Sequence, residues 1–387
     1  MSLENKYIGR YGDSTSKERT TILQLILKLL VYVVGASLAV TMIICYLTPH
    51  ISPETLGSLT VVGTFTPIIY ISVLIATLLL IVLKQWIMAG ILLLLTLIGI
   101  PDISKYYNIA VTRPAEVTTD NSTFSLMSYN VRGFYDDNGH VAVNDFIDYL
   151  EESGVPDILC IQEFPTTTRG VDKIDTLYNN TFKKYYTSEC VEAGNIVLKT
   201  YSRYPLVTTD SGNISGINSG TSAWVDVVIK KDTVRLFNNH LYTMNITESD
   251  SEDIAKGRIL QDGDRVLSIV NRIADNSSIR AKHAELLHDI IQSSPYRHVV
   301  CGDFNDTPMS YVYNTLSEGL NDAFVELSSG YRSTFRPMHS MLGIDYILYS
   351  DGIKGLSYTA DQKATLSDHL PLKVELKVAS SDKTDKH

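Results

Sequence analysis

Acids, amides and histidines recur in this 387-residue chain at the ends of short apolar runs. Asn130 closes one such run, Glu163 the next, His240 a third, and Asp303 with Asn305 a fourth. Asp345 lies inside an apolar stretch, and Asp368-His369 follows a polar turn. Taken singly, a Glu or Asn after a strand is an ordinary turn residue, and a lone His is an ordinary surface or core histidine. Their repetition is the signal, because strand ends in a layered α/β domain converge on one pocket. Hydrolysis of a phosphate ester needs a hard cation held by carboxylate and amide oxygens, a group that orients and deprotonates water, and donors that take up charge on the phosphoryl oxygens. Glu, Asp, Asn and His are the residue types that chemistry uses.

These residues must be positioned by alternating strands and helices. Phe124 to Val131 reads as a strand, and Val143, Phe146, Ile147 and Leu150 recur at helical spacing. Asp157 to Gln162 is a second apolar strand. Trp224 to Ile229 and Val234 to Asn239 form a hairpin candidate around Lys230 to Thr233. Ala281 to Ile291 has a helical pattern before the strand His298 to Cys301, and Asp306-Thr307-Pro308 has the composition of a helix start. The alternation predicts an α/β domain.

The front of the chain is of another kind. Ile22 to Leu47, Val61 to Leu83 and Trp86 to Ile100 are long apolar stretches without amphipathic periodicity, and they predict three transmembrane helices. Three successive spans do not resemble a cleaved signal peptide. Lys6, Arg10, Lys17 and Arg19 precede the first stretch and Lys84 lies between the second and third, whereas Thr48 to Thr60 has no Lys or Arg. Positive charge stays cytoplasmic, so three spans would deliver the rest of the chain to the extracytoplasmic side. The expected organisation is a tail and three-helix anchor over 1–103, a linker over 104–123, a catalytic domain over 124–377 and a flexible tail over 378–387.

The net charge of −10 falls entirely behind the anchor, where acids outnumber bases. Nucleic-acid binders neutralise phosphates with a basic face, and the composition supplies no basic surplus. Cys45, Cys160, Cys190 and Cys301 share no CxxC or metal-ligand spacing and read as core residues. Glu248, Asp250, Glu252 and Asp253 read as a solvated insertion loop rather than a calcium site.

SYNVRGF (128–134), IQEF (161–164), NNHL (238–241), GDFND (302–306), IDYIL (344–348) and SDHLPL (367–372) together resemble the endonuclease/exonuclease/phosphatase superfamily, over residues 124–376. GDFND with SDHLPL is the most specific pair. The resemblance implies a four-layer α/β sandwich of two mixed β-sheets flanked by helices. It assigns Glu163 to a metal, with Asn130 holding the metal or a phosphate oxygen and Asp368 as a further metal-side acid. It makes His369 the histidine that activates or orients water, Asp345 its supporting carboxylate, and Asp303 and Asn305 the residues that align nucleophile and phosphate, with the formal base either Asp303 or His369. His240 becomes a second histidine donating to the phosphate or leaving oxygen. All-oxygen ligation implies Mg²⁺, with Mn²⁺ as substitute. Gly343 stands where many relatives carry Arg, which removes a phosphate contact there, and Asn195, Tyr201 or Arg203 are candidates to face substrate.

The combined expectation is a membrane-anchored, metal-dependent phosphoester hydrolase acting outside the cytoplasm on a lipid head group or small phosphoester, with no protein partner inferred. The alternatives are an extracytoplasmic nuclease, with nucleic acid as substrate, and a non-catalytic receptor or scaffold that retains the fold.

Overall fold

The computed structural model describes residues 22–109, 122–136, 139–207, 212–213, 220–246 and 248–379. The basic tail before residue 22, most of the expected linker and the end of the chain from residue 380 lie outside the described residues.

In chain order the front comprises α1 (Ile22–Leu47), α2 (Pro53–Leu56), α3 (Ser58–Thr64), α4 (Thr66–Val82), α5 (Trp86–Ile98), α6 (Ile100–Ile103) and the two-residue β1 (Tyr107–Asn108). β2 (Thr123–Asn130), α7 (Val143–Ser153), β3 (Ile158–Pro165), α8 (Asp172–Phe182), β4 (Tyr186–Ala193), β5 (Ile196–Ser202) and β6 (Gly212–Asn213) follow. Then come β7 (Gly220–Ile229), β8 (Asp232–Leu241), α9 (Glu248–Ala255), α10 (Gly263–Gln292), β9 (Arg297–Asp303) and α11 (Tyr311–Leu316). The chain closes with β10 (Asn321–Asp322), α12 (Ala323–Leu327), β11 (Gly330–Tyr331), α13 (Pro337–Ser340), β12 (Asp345–Tyr349), β13 (Ile353–Ala360) and β14 (Leu372–Val378).

Two six-stranded mixed sheets carry the site, in orders β13-β14-β2-β3-β5-β4 and β10-β12-β9-β8-β7-β6. Each contains one parallel pair, β2 with β3 and β8 with β9, among antiparallel neighbours. Alternation decides which face is buried where: Leu372, Val374, Leu376 and Val378 of β14 are buried while the lysines and glutamate between them are half-buried. The inner faces meet over Leu126, Cys160, Val227, Leu236, Cys301 and Ile347. Tyr129, Ile161 and Tyr201 on the outer face of the first sheet pack against α7 and α8 through Phe146, Leu150, Ile174 and Tyr178. Phe237, Val300 and Tyr346 on the other sheet pack against α10 and α11 through Ala284, Leu287, Val312 and Leu316. Helices thus flank two apposed sheets, and all four cysteines are buried free thiols.

Several local expectations change. The hairpin forms as β7 and β8, with a two-residue turn at Lys230 and Lys231. The helix around Ala281 begins eighteen residues earlier, at Gly263, where the Asp262 carboxylate caps it by accepting from Arg265 N–H. The expected helix start at Asp306 shifts to Tyr311, capped by Ser310, because the Asp306 carboxylate is committed to Arg280. The acidic run of residues 248–253 is helical rather than a solvated loop: Asp250 is buried against Arg265 and Arg272, and Asp253 pairs with Arg258 and Arg265.

The three-span expectation is corrected. Among the described residues α1 is the one continuous helix long and apolar enough to cross a membrane. The second stretch is broken between α3 and α4, which meet at 65°. Pro67, at the start of α4, has no N–H to donate, and its ring excludes the helical position of the carbonyl four residues back. The third stretch gives a 13-residue α5, about 20 Å long at 1.5 Å per residue and shorter than a ~30 Å hydrocarbon core. α1, α4 and α5 pack on one another through Met42, Tyr70, Val73, Leu80, Ala89 and Leu92. The start of the expected linker is also not free: Tyr106 is buried, and β1 pairs with β11.

Candidate active site

The ladder register brings three of the candidate side chains together. His240 at the end of β8 lies opposite Asp303 at the end of β9, and Asp303 lies opposite Asp345 at the start of β12. Gly302 makes this pairing possible. It adopts φ 128°, and a Cβ there would sit 1.9 Å from the Asn239 carbonyl oxygen, so the two strands can approach only at a glycine.

From the other sheet come Asn130 at the end of β2 and Glu163 near the end of β3. The β3–β5 register slips between Ile161 and Phe164, and Glu163 takes a left-handed φ of 54°. Such an irregularity re-aims a side chain out of the pleat. Asn305 is also left-handed, at φ 51°. Strained backbone at two polar residues of one pocket is a feature of functional sites rather than of cores.

Asp303 is the hub. Its Oδ2 accepts from Asn130 Nδ2 and Asn305 Nδ2, both at 3.1 Å, and its Oδ1 accepts from Asn305 N–H at 2.8 Å. His369 Nε2 lies 3.6 Å away and His240 Nε2 3.8 Å. Behind His369, Asp345 Oδ2 lies 3.0 Å from Nδ1. Behind His240, Glu192 Oε2 lies 2.7 Å from Nδ1, while Glu192 Oε1 accepts from Glu163 N–H at 3.1 Å. Two imidazoles therefore point their Nε2 atoms at one carboxylate, each backed by its own acid on Nδ1.

The electrostatics follow from this arrangement. Burial would push the His369 imidazolium down, but the charges of Asp345 and Asp303 and the bond to Asp345 outweigh it and raise the pKa to about 10. Burial opposes the His240 imidazolium too, and there Glu192, followed by Asp303 and Glu163, raises it to about 9. Burial lifts the Asp303 carboxyl to about 6, with His369 pulling it down and Asp345 pushing it up. The arrangement favours protonated histidines at neutral pH and holds the Asp303 carboxyl above the ordinary carboxylate range.

These groups border an open cleft of about 490 Å³ lined by Arg132, Glu163, Glu192, His240, Asp303, Asn305, Asp368 and His369, with Tyr242, Ile246 and Phe335 on its rim. All eight candidates lie in or directly behind it. Asp345 and Asn130 form the second rank. As placed, Asn130 turns its Nδ2 to Glu163 and Asp303, while its Oδ1 accepts from Arg132 N–H. Ion ligation by that oxygen would require the amide to turn over. Among the described residues the group that closes to metal-ligand spacing is Asp303, Asp345 and His369. Glu163 and Asp368 line the same cleft outside that group. Asp368 sits 3.8 Å from Arg132 Nε. Five carboxylates facing one arginine and two histidines make an oxygen-rich, acid-heavy donor set, which fits a hard divalent cation.

Sequence reasoning missed Glu192 and Arg132. Glu192 lies on an edge strand with no motif around it, and only its three-dimensional neighbour reveals it. Arg132 lay within the quoted SYNVRGF run, where its charge was the available signal. Two of the candidate substrate contacts fall elsewhere: Tyr201 stacks on Tyr178 in the outer core and Arg203 pairs with Asp157 at 2.7 Å. Asn195 stands two residues from the cleft-lining Ala193, with its backbone carbonyl accepting from Thr166. At Gly343 a Cβ would meet the side chain of Arg332, which is buried and bonded to Asp322.

A family model for the endonuclease/exonuclease/phosphatase family matches residues 127–369. The chain belongs to this family, whose members are divalent-metal-dependent phosphoesterases and nucleases. No curated protein sequence matches the chain significantly. Among solved structures it is similar to humanized D. rerio TDP2, at 17% identity over 66% of this chain and 99% of that one, with a TM-score of 0.46. It is similar to the human Nocturnin catalytic domain at 18% identity over 66% and 94%, TM-score 0.44. A Bacteroides thetaiotaomicron endonuclease/exonuclease/phosphatase family protein shows 17% identity over 66% and 97%, TM-score 0.45.

Proposed function

We propose that this chain is a membrane-anchored phosphoester hydrolase that uses water as nucleophile and acts on a lipid head group or small phosphoester. The observation that carries this is the convergence of two acid-backed histidines on Asp303. Glu163 and Asp368 would hold a Mg²⁺ or Mn²⁺ ion, with Asn130 beside it bonded to Glu163 and Asp303. Such an ion supplies charge neutralisation at the phosphoryl oxygens.

Of the groups bordering the cleft, Asp303 is the proton acceptor for the attacking water, because the two histidines are already protonated. Asn305 fixes the Asp303 carboxylate through two hydrogen bonds. The histidinium groups donate, His369 to a phosphoryl oxygen and His240 to the phosphate or the leaving oxygen. Asp345 and Glu192 hold each ring by its Nδ1–H and stabilise the charged form.

Membrane attachment is supported by the exposed apolar flanks of α1, α4 and α5, including Leu25, Val33, Ile71, Leu78 and Leu94, because soluble surfaces rarely carry contiguous apolar areas of that kind. The domain docks at the end of α1 where the connection without Lys or Arg lies. With α1 crossing and the basic tail cytoplasmic, the active site is extracytoplasmic. Accessibility labelling of cysteines placed at Ser104 and in the C-terminal tail tests this, and cytoplasmic signals at both would overturn it.

Substrate class is tested by assaying the full chain in nanodiscs with Mg²⁺ on sphingomyelin, phosphoinositides, bis-p-nitrophenyl phosphate, RNA and supercoiled plasmid. Turnover of lipid or small esters is expected. Rapid plasmid nicking without it would make the protein a nuclease, and no turnover on any of them would favour a scaffold.

A further inference from the structure

The helical front touches the catalytic loop itself. The loop runs from Asp303, at the end of β9, through Asn305 and Asp306 to Met309, which is fully buried beside Cys45 of α1 and Tyr106. Met309 N–H donates to the Tyr106 hydroxyl at 3.1 Å, and that hydroxyl donates to the Gly63 carbonyl of α3 at 3.4 Å. The Gly63 carbonyl receives no N–H from Pro67, four residues on, and accepts the Thr66 hydroxyl at 2.8 Å as well as Tyr106. Gly63 also lies directly under the loop. A Cβ there would sit 2.5 Å from the Met309 carbonyl oxygen and 2.7 Å from Thr48 Cγ2.

The other side of the loop is held by α10. Arg280, buried, donates to Asp306 at 3.2 Å and to the Tyr242 carbonyl at 3.1 Å. The same helix docks on the front: Ser277 bonds Thr60 at 3.0 Å, Ser278 donates to the Pro53 carbonyl at 2.9 Å, and Lys282 pairs with Glu54 at 2.7 Å. Phe65, at the α3–α4 bend, packs with Met244, Leu342 and Ile344 beneath Ile246 and Phe335 on the cleft rim. A mere tether would end at the linker. Here the loop carrying two site residues is seated between the helical front and a helix bolted to that front.

We infer that Tyr106 and Gly63 are positioning residues of the reaction: the helical front sets the place of Asp303 and Asn305 through the Met309 segment. This rests on the proposed hydrolysis for its kinetic consequence, though not for its structural one. Catalytic groups displaced by about 1 Å from a remote site can cost about 10²-fold in rate. Gly63→Ala is a sharp probe, since in a helix Ala is intrinsically favoured over Gly. Any loss it causes therefore comes from the new Cβ contacts, of which the closer is to the Met309 carbonyl oxygen and the other to the end of the Thr48 side chain.

The test uses the full chain in nanodiscs and compares wild type, Gly63→Ala, Tyr106→Phe and Lys282→Ala by hydrogen exchange over residues 303–309 and by kcat and KM on bis-p-nitrophenyl phosphate. Tyr106→Phe keeps the ring and removes both hydrogen bonds of the hydroxyl, to Met309 N–H and to the Gly63 carbonyl, so exchange there should rise about fivefold. For Gly63→Ala kcat should fall about tenfold with KM unchanged, while Lys282→Ala, at an exposed ion pair of the same interface, leaves both readouts at wild-type values. Unchanged exchange over residues 303–309 in Tyr106→Phe overturns the inference, as does unchanged kcat in an active, folded Gly63→Ala protein. An inactive wild type would instead sink the hydrolase reading, and Tyr106→Phe exchange would still decide the coupling.

Discussion

His240 and Glu192 come from different sheets and meet with Nδ1 and Oε2 2.7 Å apart. Glu192 also accepts the backbone N–H of Glu163, so one carboxylate orders a histidine and the neighbouring acid together. Glu192→Gln should leave the ring in place but remove the charge that raises His240 to about 9. The imidazole resonance should then titrate at lower pH, and the alkaline limb of the activity profile should move the same way. A His240 titration unchanged in Glu192→Gln would contradict this.

The second acid-backed histidine sets a hierarchy. His369→Ala and Asp303→Ala should each remove most turnover, about 10²- to 10⁴-fold, with thermal stability largely kept. Asp345→Asn should cost less, since the ring nitrogen retains a hydrogen-bond partner. Steady-state kinetics at matched thermal midpoints check the order, and Asp345→Asn proving worse than His369→Ala would reverse the assignment.

Stability should depend on pH through the same pair. His369 and His240 have folded pKa values of about 10 and about 9, above the ~6.5 of an unfolded chain. The folded state therefore binds more protons in that window, so their stabilisation is complete below about pH 6.5 and is lost as pH rises through 9 to 10. Thermal melts in chelator should show the midpoint falling on the alkaline side, with a shallower fall in Glu192→Gln.

Removing the ion should remove activity. EDTA should abolish hydrolysis, and Mg²⁺ should restore it. Glu163→Ala should raise the Mg²⁺ concentration needed for half-activation more than it lowers the thermal midpoint, because the side chain is partly exposed in the cleft and not packed in a core. A half-activation point unchanged in Glu163→Ala would remove that residue from the metal site.

Much of this was legible because strand ends in a layered fold converge. Asn130, Glu163, His240 and Asp303 each close an apolar run, and that shared position at strand ends is what marked them as one group. Glu192 was not legible, since its role depends on His240, 48 residues further on in the opposite sheet. The long α10 was obscured by polar residues such as Asn276 and Ser277, which the structure buries against Met244 and Thr60. Pro67 did announce the α3–α4 break, but the uniform apolarity around it outweighed that signal. Hydropathy reports what a segment can bury and is silent on where its backbone must turn.

The most direct test of water attack centred on Asp303 is hydrolysis of bis-p-nitrophenyl phosphate in H₂¹⁸O by the full chain with Mg²⁺, with mass analysis of the product. One ¹⁸O should appear in p-nitrophenyl phosphate, and turnover should collapse both in EDTA and in Asp303→Asn. Turnover that persists at the wild-type rate in chelator, or in Asp303→Asn, would contradict the central claim.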